Sequence, residues 1–417
     1  MKTGKYLCKF KSFRTRICLW AVVSLGGGWI NTATAIEVKG EMSLRNLYAD
    51  RDYDQQIASL GSWSQGVMTK LRAQQALSEV LDVTVTGSAQ YAHRLSQSKS
   101  TDDAIIPFDP QQRKQAADYH KLGAAIGLKY HPDHNQIHEL SWGEQWLNTP
   151  LATGDASRQL ATFYQGLVYR GTFEENYKFE LGRINRISPR NGNGFQPLSV
   201  KNIKTEALNY LNFNLQPDAQ LKLNFYYGNL MDLYDQVSIG LHFQQPVADL
   251  VLNTKLRFYS SFDTGRSKLG EIDNQYYGVL QDLKYGNTSF GIGYQKIDGK
   301  GDFPKLDGYV PVLDFINWTQ GIFGSANERS LHFVLSHQLD WLLPNLNLSI
   351  KYIRGDDYAV RQRQDAKESE LATQLSYVVK EGRFKGLDLR WLNINYDNNY
   401  GRSYVENRII SSYSFKF

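Results

Sequence analysis

The stretch Ile409-Ile410-Ser411-Ser412-Tyr413-Ser414-Phe415-Lys416-Phe417 decides the fold. Tyr413, Phe415 and Phe417 hold alternate positions, with Ser414 and Lys416 between them. Successive side chains of a strand point to opposite faces, so one side of this segment is aromatic and the other polar. The stripe runs to the last residue, where a strand ending a soluble domain would fray. A strand of a closed membrane barrel meets lipid on one face and water on the other, and this alternation suits both.

The other end of the chain agrees. Lys2, Lys5, Lys9, Lys11, Arg14 and Arg16 form a basic stretch without an acid, followed by an apolar run from Ile17 to Ile30 and by Ala33-Thr34-Ala35. These are the three regions of a secretory signal peptide, so residues 1–35 are expected to be a leader cleaved after Ala35 and residues 36–417 the mature protein. The apolar run is too short to span a bilayer as a helix.

Removing the leader changes the charge and the redox reading. Of 47 Lys and Arg, six go with it, which leaves 41 against 42 Asp and Glu. A near-neutral mature chain gives no argument for a nucleic-acid partner. Cys8 and Cys18, the two cysteines, also lie in the leader, so neither a disulfide nor a thiolate metal site is expected in the mature protein.

Aromatic residues make up 13% of the chain, with 26 Tyr, and the mean hydropathy is −0.46. No stretch after the leader approaches the length of a helical span, and so aromatic a chain is not disordered. A large all-β protein remains. Strict alternation then recurs: Val83, Val85, Gly87, Ala89 and Tyr91 against Thr84, Thr86, Ser88 and Gln90; Leu346, Leu348, Ile350 and Tyr352 against Asn347, Ser349 and Lys351; Leu371 through Val379 in the same way.

About eighteen such segments are expected, from 37–48 to 403–417, including one at 203–214. Every second connection is short and turn-like, as at Gln216-Pro217-Asp218, Tyr285-Gly286-Asn287, Leu343-Pro344-Asn345 and Glu381-Gly382-Arg383. Long connections intervene near 49–61, 93–118, 186–202, 261–271 and 300–326. Short turns on one side and long loops on the other describe an antiparallel outer-membrane barrel with both ends in the periplasm.

Several stretches resemble one family. Ser43-Leu44-Arg45-Asn46-Leu47-Tyr48-Ala49-Asp50-Arg51 with Trp63-Ser64-Gln65-Gly66 is similar to the start of the OprD family of outer-membrane substrate-specific porins. Tyr294–Gly299, Tyr352–Asp357 and Tyr377–Gly382 resemble its later strands. The segment from Gly143-Glu144 through Thr149-Pro150 to Arg158-Gln159-Leu160 resembles its third loop, which folds into the pore. The terminal aromatic stripe likewise resembles the signature read by the barrel-assembly machinery.

The resemblance implies a transmembrane antiparallel β-barrel of about 18 strands with an inward-folded third loop, passing small carboxylate-bearing nutrients passively across the bacterial outer membrane. One departure narrows this. Basic-amino-acid members carry a Tyr-x-Asp pair before a Gly-rich stretch, whereas here Asn317-Trp318-Thr319-Gln320-Gly321-Ile322-Phe323-Gly324 supplies neither residue. Arginine and carbapenem-like zwitterions therefore fit poorly, and simple organic or aromatic anions fit better. Chitooligosaccharide porins share the fold, so a sugar channel stays open, as does a barrel adhesin, receptor or membrane enzyme. Porins often associate as trimers, though nothing in the composition requires a homotrimer.

Alternation assigns the lumen face independently. If Leu387, Leu389 and Trp391 face lipid, Arg390 points inward; if Tyr413, Phe415 and Phe417 do, so does Arg408. The same parity turns Lys351, Arg45, Lys70 and Arg72 inward, and Arg158 lies in the third loop, where it either lines the eyelet or pins the loop to the wall. Closure would set Arg390, Arg408, Arg45, Lys70 and Arg72 along one wall, resembling the family's basic ladder. Such lumen charges could instead only hydrate the pore and pair with acids such as Glu41. Other chemistry is weak. His120, His131, His134 and His138 flank a short turn without zinc-site spacing, Gly192-Asn193-Gly194 lacks a phosphate-loop context, and no catalytic motif or cofactor is expected.

Overall fold

The computed structural model describes residues 35–417 except 56, 156 and 309–319. The leader expected over residues 1–35 lies outside the described residues, apart from Ala35.

The chain forms eighteen long strands. They are β1 (Glu37–Tyr53), β2 (Leu60–Ala76), β3 (Leu81–Arg94), β4 (Asp118–Asp133), β5 (Gln136–Gln145) and β6 (Phe163–Phe173). Then come β7 (Tyr177–Ser188), β8 (Leu208–Leu215), β9 (Leu221–Leu230), β10 (Tyr234–Val247), β11 (Leu250–Asp263) and β12 (Asp273–Tyr285). Last are β13 (Thr288–Lys300), β14 (Arg329–Gln338), β15 (Leu346–Val360), β16 (Arg363–Val378), β17 (Asp388–Asn398) and β18 (Tyr404–Lys416).

Each strand pairs antiparallel with the next. β18 then pairs with β1 from Glu41↔Lys416 to Tyr53↔Tyr404, which closes the barrel and leaves it no open edge. Phe417 adds two backbone bonds beyond the strand, donating to Gly40 O at 2.9 Å and accepting from Gly40 N at 2.7 Å.

The connections alternate in kind. Residues 134–135, 174–176, 248–249 and 286–287 turn tightly at one end of the barrel, while 95–117, 146–162, 189–207, 264–272 and 301–328 are long at the other. Two details differ from the sequence expectation. The first loop is only 54–59, because β1 and β2 stay in register as far as Arg51↔Leu60. The strand expected from residue 203 begins at Leu208, because Ile203–Lys204 pairs with Ser199–Val200 inside the loop.

Lipid-facing positions carry the exposed apolar side chains, among them Leu122, Ile126, Trp142, Ile239, Ile292, Leu331, Ile409 and Phe415. The packed core sits inside, where long loops meet the lumen face. Leu47, Ala49, Ala92 and Tyr119 of the wall enclose Ile105, Ile106 and Leu160 from two loops. A larger cluster joins Leu147 and Leu151 to Tyr164, Ile184, Leu198 and Tyr226. Apolar burial therefore serves to hold the loops within the barrel.

Candidate channel lining and eyelet

Two loops narrow the lumen. Residues 146–162 lie against lumen-facing groups of the first four strands. The Gln159 amide donates to Arg45 O at 3.0 Å and accepts from Ser64 Oγ at 3.1 Å. Ala161 N donates to Gln90 Oε1 at 2.9 Å, and the buried Lys121 Nζ donates to Ala161 O at 2.8 Å. At Gly143 the backbone reaches φ 117°, a conformation that side chains disfavour, and Glu144 then turns into the lumen to accept from Ser88 Oγ.

The end of the 301–328 loop approaches from the other side. Gly321 N donates to Glu370 Oε2 at 2.8 Å, and the Gln295 amide donates to the carbonyls of Ile322 and Phe323. Gln320 joins the two loops: its Oε1 accepts from Arg408 and, at 3.4 Å, from Arg158. Of the segment that departs from the family's amino-acid pocket, Asn317 to Thr319 lie outside the described residues.

The seven basic residues singled out in the sequence do not all stand together. Arg45, Lys351, Arg390 and Arg408 line one cavity of about 610 Å³ together with Ser157, Ser349, Gln374, Asp388 and Ser412. Arg45 donates to Ser412 Oγ at 3.3 Å and to Arg158 O at 2.7 Å, so it also anchors the loop. Arg390 Nε donates to Asp388 Oδ1 at 3.0 Å, and Arg408 Nε donates to Glu406. Each of these carboxylates stands two positions from its arginine on the same strand face.

Arg158 is buried in the returning half of the loop; burial first, and then the like charges of Arg408 and Arg190, lower its pKa. Burial would raise the pKa of nearby Asp155, yet the Arg190 guanidinium and hydrogen bonds from Ser157 hold it below the usual carboxylate range. Lys70 and Arg72 also face inward, opposite Glu41 and Lys39 in register. They do not line this cavity: Lys70 Nζ sits 4.8 Å from the Trp146 ring centroid, and Arg72 meets Glu139 at 3.4 Å. The histidines near the 134–135 turn are engaged locally, His131 with Asp82 at 3.0 Å and His138 with the Tyr169 hydroxyl at 2.7 Å.

A second cavity of about 730 Å³ lies along β7 to β12 and shares Lys351 with the first. Lys178, Lys222, His242, Lys255 and Arg257 line it, with Glu175 and Asp282 as its acids. Sequence reasoning missed this group. Its signal is the alternation of Leu221-Lys222-Leu223-Asn224-Phe225 and of Lys255-Leu256-Arg257-Phe258. Arg257 lies over Gly240, where a side chain would collide with it, and donates to Asn224 Oδ1 and Ser238 Oγ, each at 2.9 Å. Taken together, the two cavities are lined by eight Lys and Arg and three Asp and Glu.

Known proteins share this architecture. The family model described as outer membrane porin, OprD family, matches residues 36–417. The chain is 27% identical to the porin-like protein GalP of Pseudomonas putida over 391 residues, covering 90% of this chain and 92% of that one. It is 22% identical to Porin D of Pseudomonas aeruginosa over 399 residues, or 87% of each chain. The crystal structure of Acinetobacter baumannii OccAB4 superposes with a TM-score of 0.86 at 32% identity, covering 92% of this chain and 99% of that one. A closed barrel with loops drawn into a charged lumen, and a family match over the whole of it, place this chain in the OprD family of outer-membrane porins, the substrate-specific channels of the bacterial outer membrane.

Proposed function

We propose that the channel passes small carboxylate-bearing solutes, organic or aromatic acids, by handing them along basic residues of the lumen. The carrying observation is the excess of eight cationic over three anionic side chains in the two cavities beside the eyelet. A guanidinium offers a carboxylate paired N–H donors, and a row of such sites lets an anion enter without being trapped. Arg158 and Arg408, joined through Gln320, supply charge at the narrowing; Arg390, Arg45 and Lys351 continue it below. Lys70 and Arg72 stand farther along the wall and act mainly on the field.

Replacing Arg390 and Arg408 together with Gln should slow carboxylate uptake by about tenfold, the equivalent of about 1.4 kcal/mol. Neutral solutes of similar size should slow much less, and the reversal potential in a KCl gradient should move toward cation preference. An equal loss of anionic and neutral flux would favour an oligosaccharide channel instead.

Delivery to the membrane follows the same reading. Residues 1–35 act as the cleaved leader, and the barrel-assembly machinery recognises the terminal aromatic strand. Deleting Phe417 removes both of its bonds to Gly40. The amount of heat-modifiable folded barrel in membranes should fall severalfold; an unchanged amount would count against this role.

A further inference from the structure

The second cavity contains an arrangement that the first does not. Lys222 of β9 lies directly across from His242 of β10, and His242 directly across from Lys255 of β11. All three share the lumen face. Neighbouring strands are about 4.8 Å apart, so the two lysines flank the histidine within reach of one another's side chains. The two lysines stand two strand spacings apart, roughly 10 Å at the backbone, and repel each other across the histidine. No hydrogen bond or salt bridge relieves Lys222, Lys255 or Lys178 among the described residues.

The nearest acid, Asp282, attracts Lys255, His242 and Lys351, one carboxylate shared among several cations of the cavity. Asp282 is the partner of Asn253, and its carboxylate leans over Gly291, toward β13. Arg257 stands beside the row, its guanidinium held flat over Gly240 by Asn224 and Ser238. Leu280, directly across from Lys255, and Val334, directly across from Lys351, bring apolar surface between the charged groups.

We propose that Lys222, His242, Lys255 and Arg257 form a second anion site, on the wall facing the Arg390–Arg408 cavity, and that it makes dicarboxylates the preferred solutes. The inference rests on the anionic reading of the channel and narrows it. A monocarboxylate satisfies one site at a time. A dicarboxylate leaving Arg390 and Arg408 meets further cations at Lys351, which lines both cavities, and at the lysine row, while its carbon chain rests on Leu280 and Val334. Occupancy by a carboxylate also relieves the repulsion within the row.

The test compares succinate with butyrate, equal in carbon number, together with a neutral sugar, through the full-length protein in planar bilayers and liposomes. The wild type should pass succinate severalfold better than butyrate. Lys222→Gln with Lys255→Gln should cut succinate flux about tenfold and butyrate flux only about threefold, so that the preference for succinate falls, whereas Lys255→Arg should keep the preference. Folding is checked by heat modifiability, and removing like charges from a wetted face should leave it intact. If the double variant lowers succinate and butyrate equally, or neither, the second site is overturned while the anionic reading stands. If the wild type passes the sugar better than either acid, the anionic reading itself fails.

Discussion

The two sides of the lumen carry the same sign of charge in different states. On β17 and β18 the arginines come with their own carboxylates, Arg390 with Asp388 and Arg408 with Glu406. On β9 to β11 the cations face one another, Lys222 and Lys255 across His242. A guanidinium has five N–H donors in a planar fork, so a bound carboxylate leaves donors over for a passing solute. That makes a weak site, fast to empty. An ammonium group crowded by other cations gains more from an incoming anion and releases it more slowly. Counting lumen charges alone would treat the two walls as equal, and their partners say otherwise.

The sharpest way to break this contrast is to give the lysine wall its own carboxylate. Leu280→Glu places one directly across from Lys255 on the lumen face. Any preference for dicarboxylates over monocarboxylates should fall by about tenfold, or about 1.4 kcal/mol, since the new acid both occupies the lysine and repels the solute. Single-channel flux ratios would measure it, and an unchanged ratio would mean that the row holds no anion.

The converse change makes the arginine wall resemble the lysine wall. Asp388→Asn frees Arg390 from its partner, and the dwell time of a monocarboxylate in current-block records should lengthen by about threefold, as expected for removing a partly exposed ion pair. Glu406 is the less clean target because it also accepts from Arg51 Nε at 2.7 Å. A shortened dwell after Asp388→Asn would place the solute's contact elsewhere.

The smallest effect is expected at Arg72, which meets Glu139 and lines neither cavity. Arg72→Gln should change carboxylate flux by less than about twofold, because its charge is already balanced and acts on the pore only through a screened field. A larger loss in a liposome assay would extend the arginine wall across β2.

Facing was legible in the sequence, and level was not. Period-two alternation put Arg45, Lys351, Arg390 and Arg408 on the lumen side, because each sits between lipid-facing neighbours in its own strand. Which residues of different strands stand abreast depends on register, which turn lengths and pairing set together. Thus Lys222, His242 and Lys255, separated by the connections at 231–233 and 248–249 and by stretches of strand, formed no visible cluster in the chain. The partners that change their character were hidden for the same reason: Gln320 reaches Arg408 from 88 positions away, through a loop whose path is set by tertiary packing.

The pairing of β1 with β18 carries a lesson about construction. It brings Arg45 against Ser412, 367 positions apart, so the contact that completes the sheet is also among the most costly to reach by chain diffusion. Every strand in the ring runs opposite to both neighbours, and such a ring admits only an even number of members. Losing a single strand would force one parallel seam or leave two raw edges ready to pair with other chains. Losing a hairpin would not. Changes of bore in this architecture are therefore quantised: the ring can gain or shed adjacent pairs of strands, while selectivity is adjusted by side chains and loops at constant circumference.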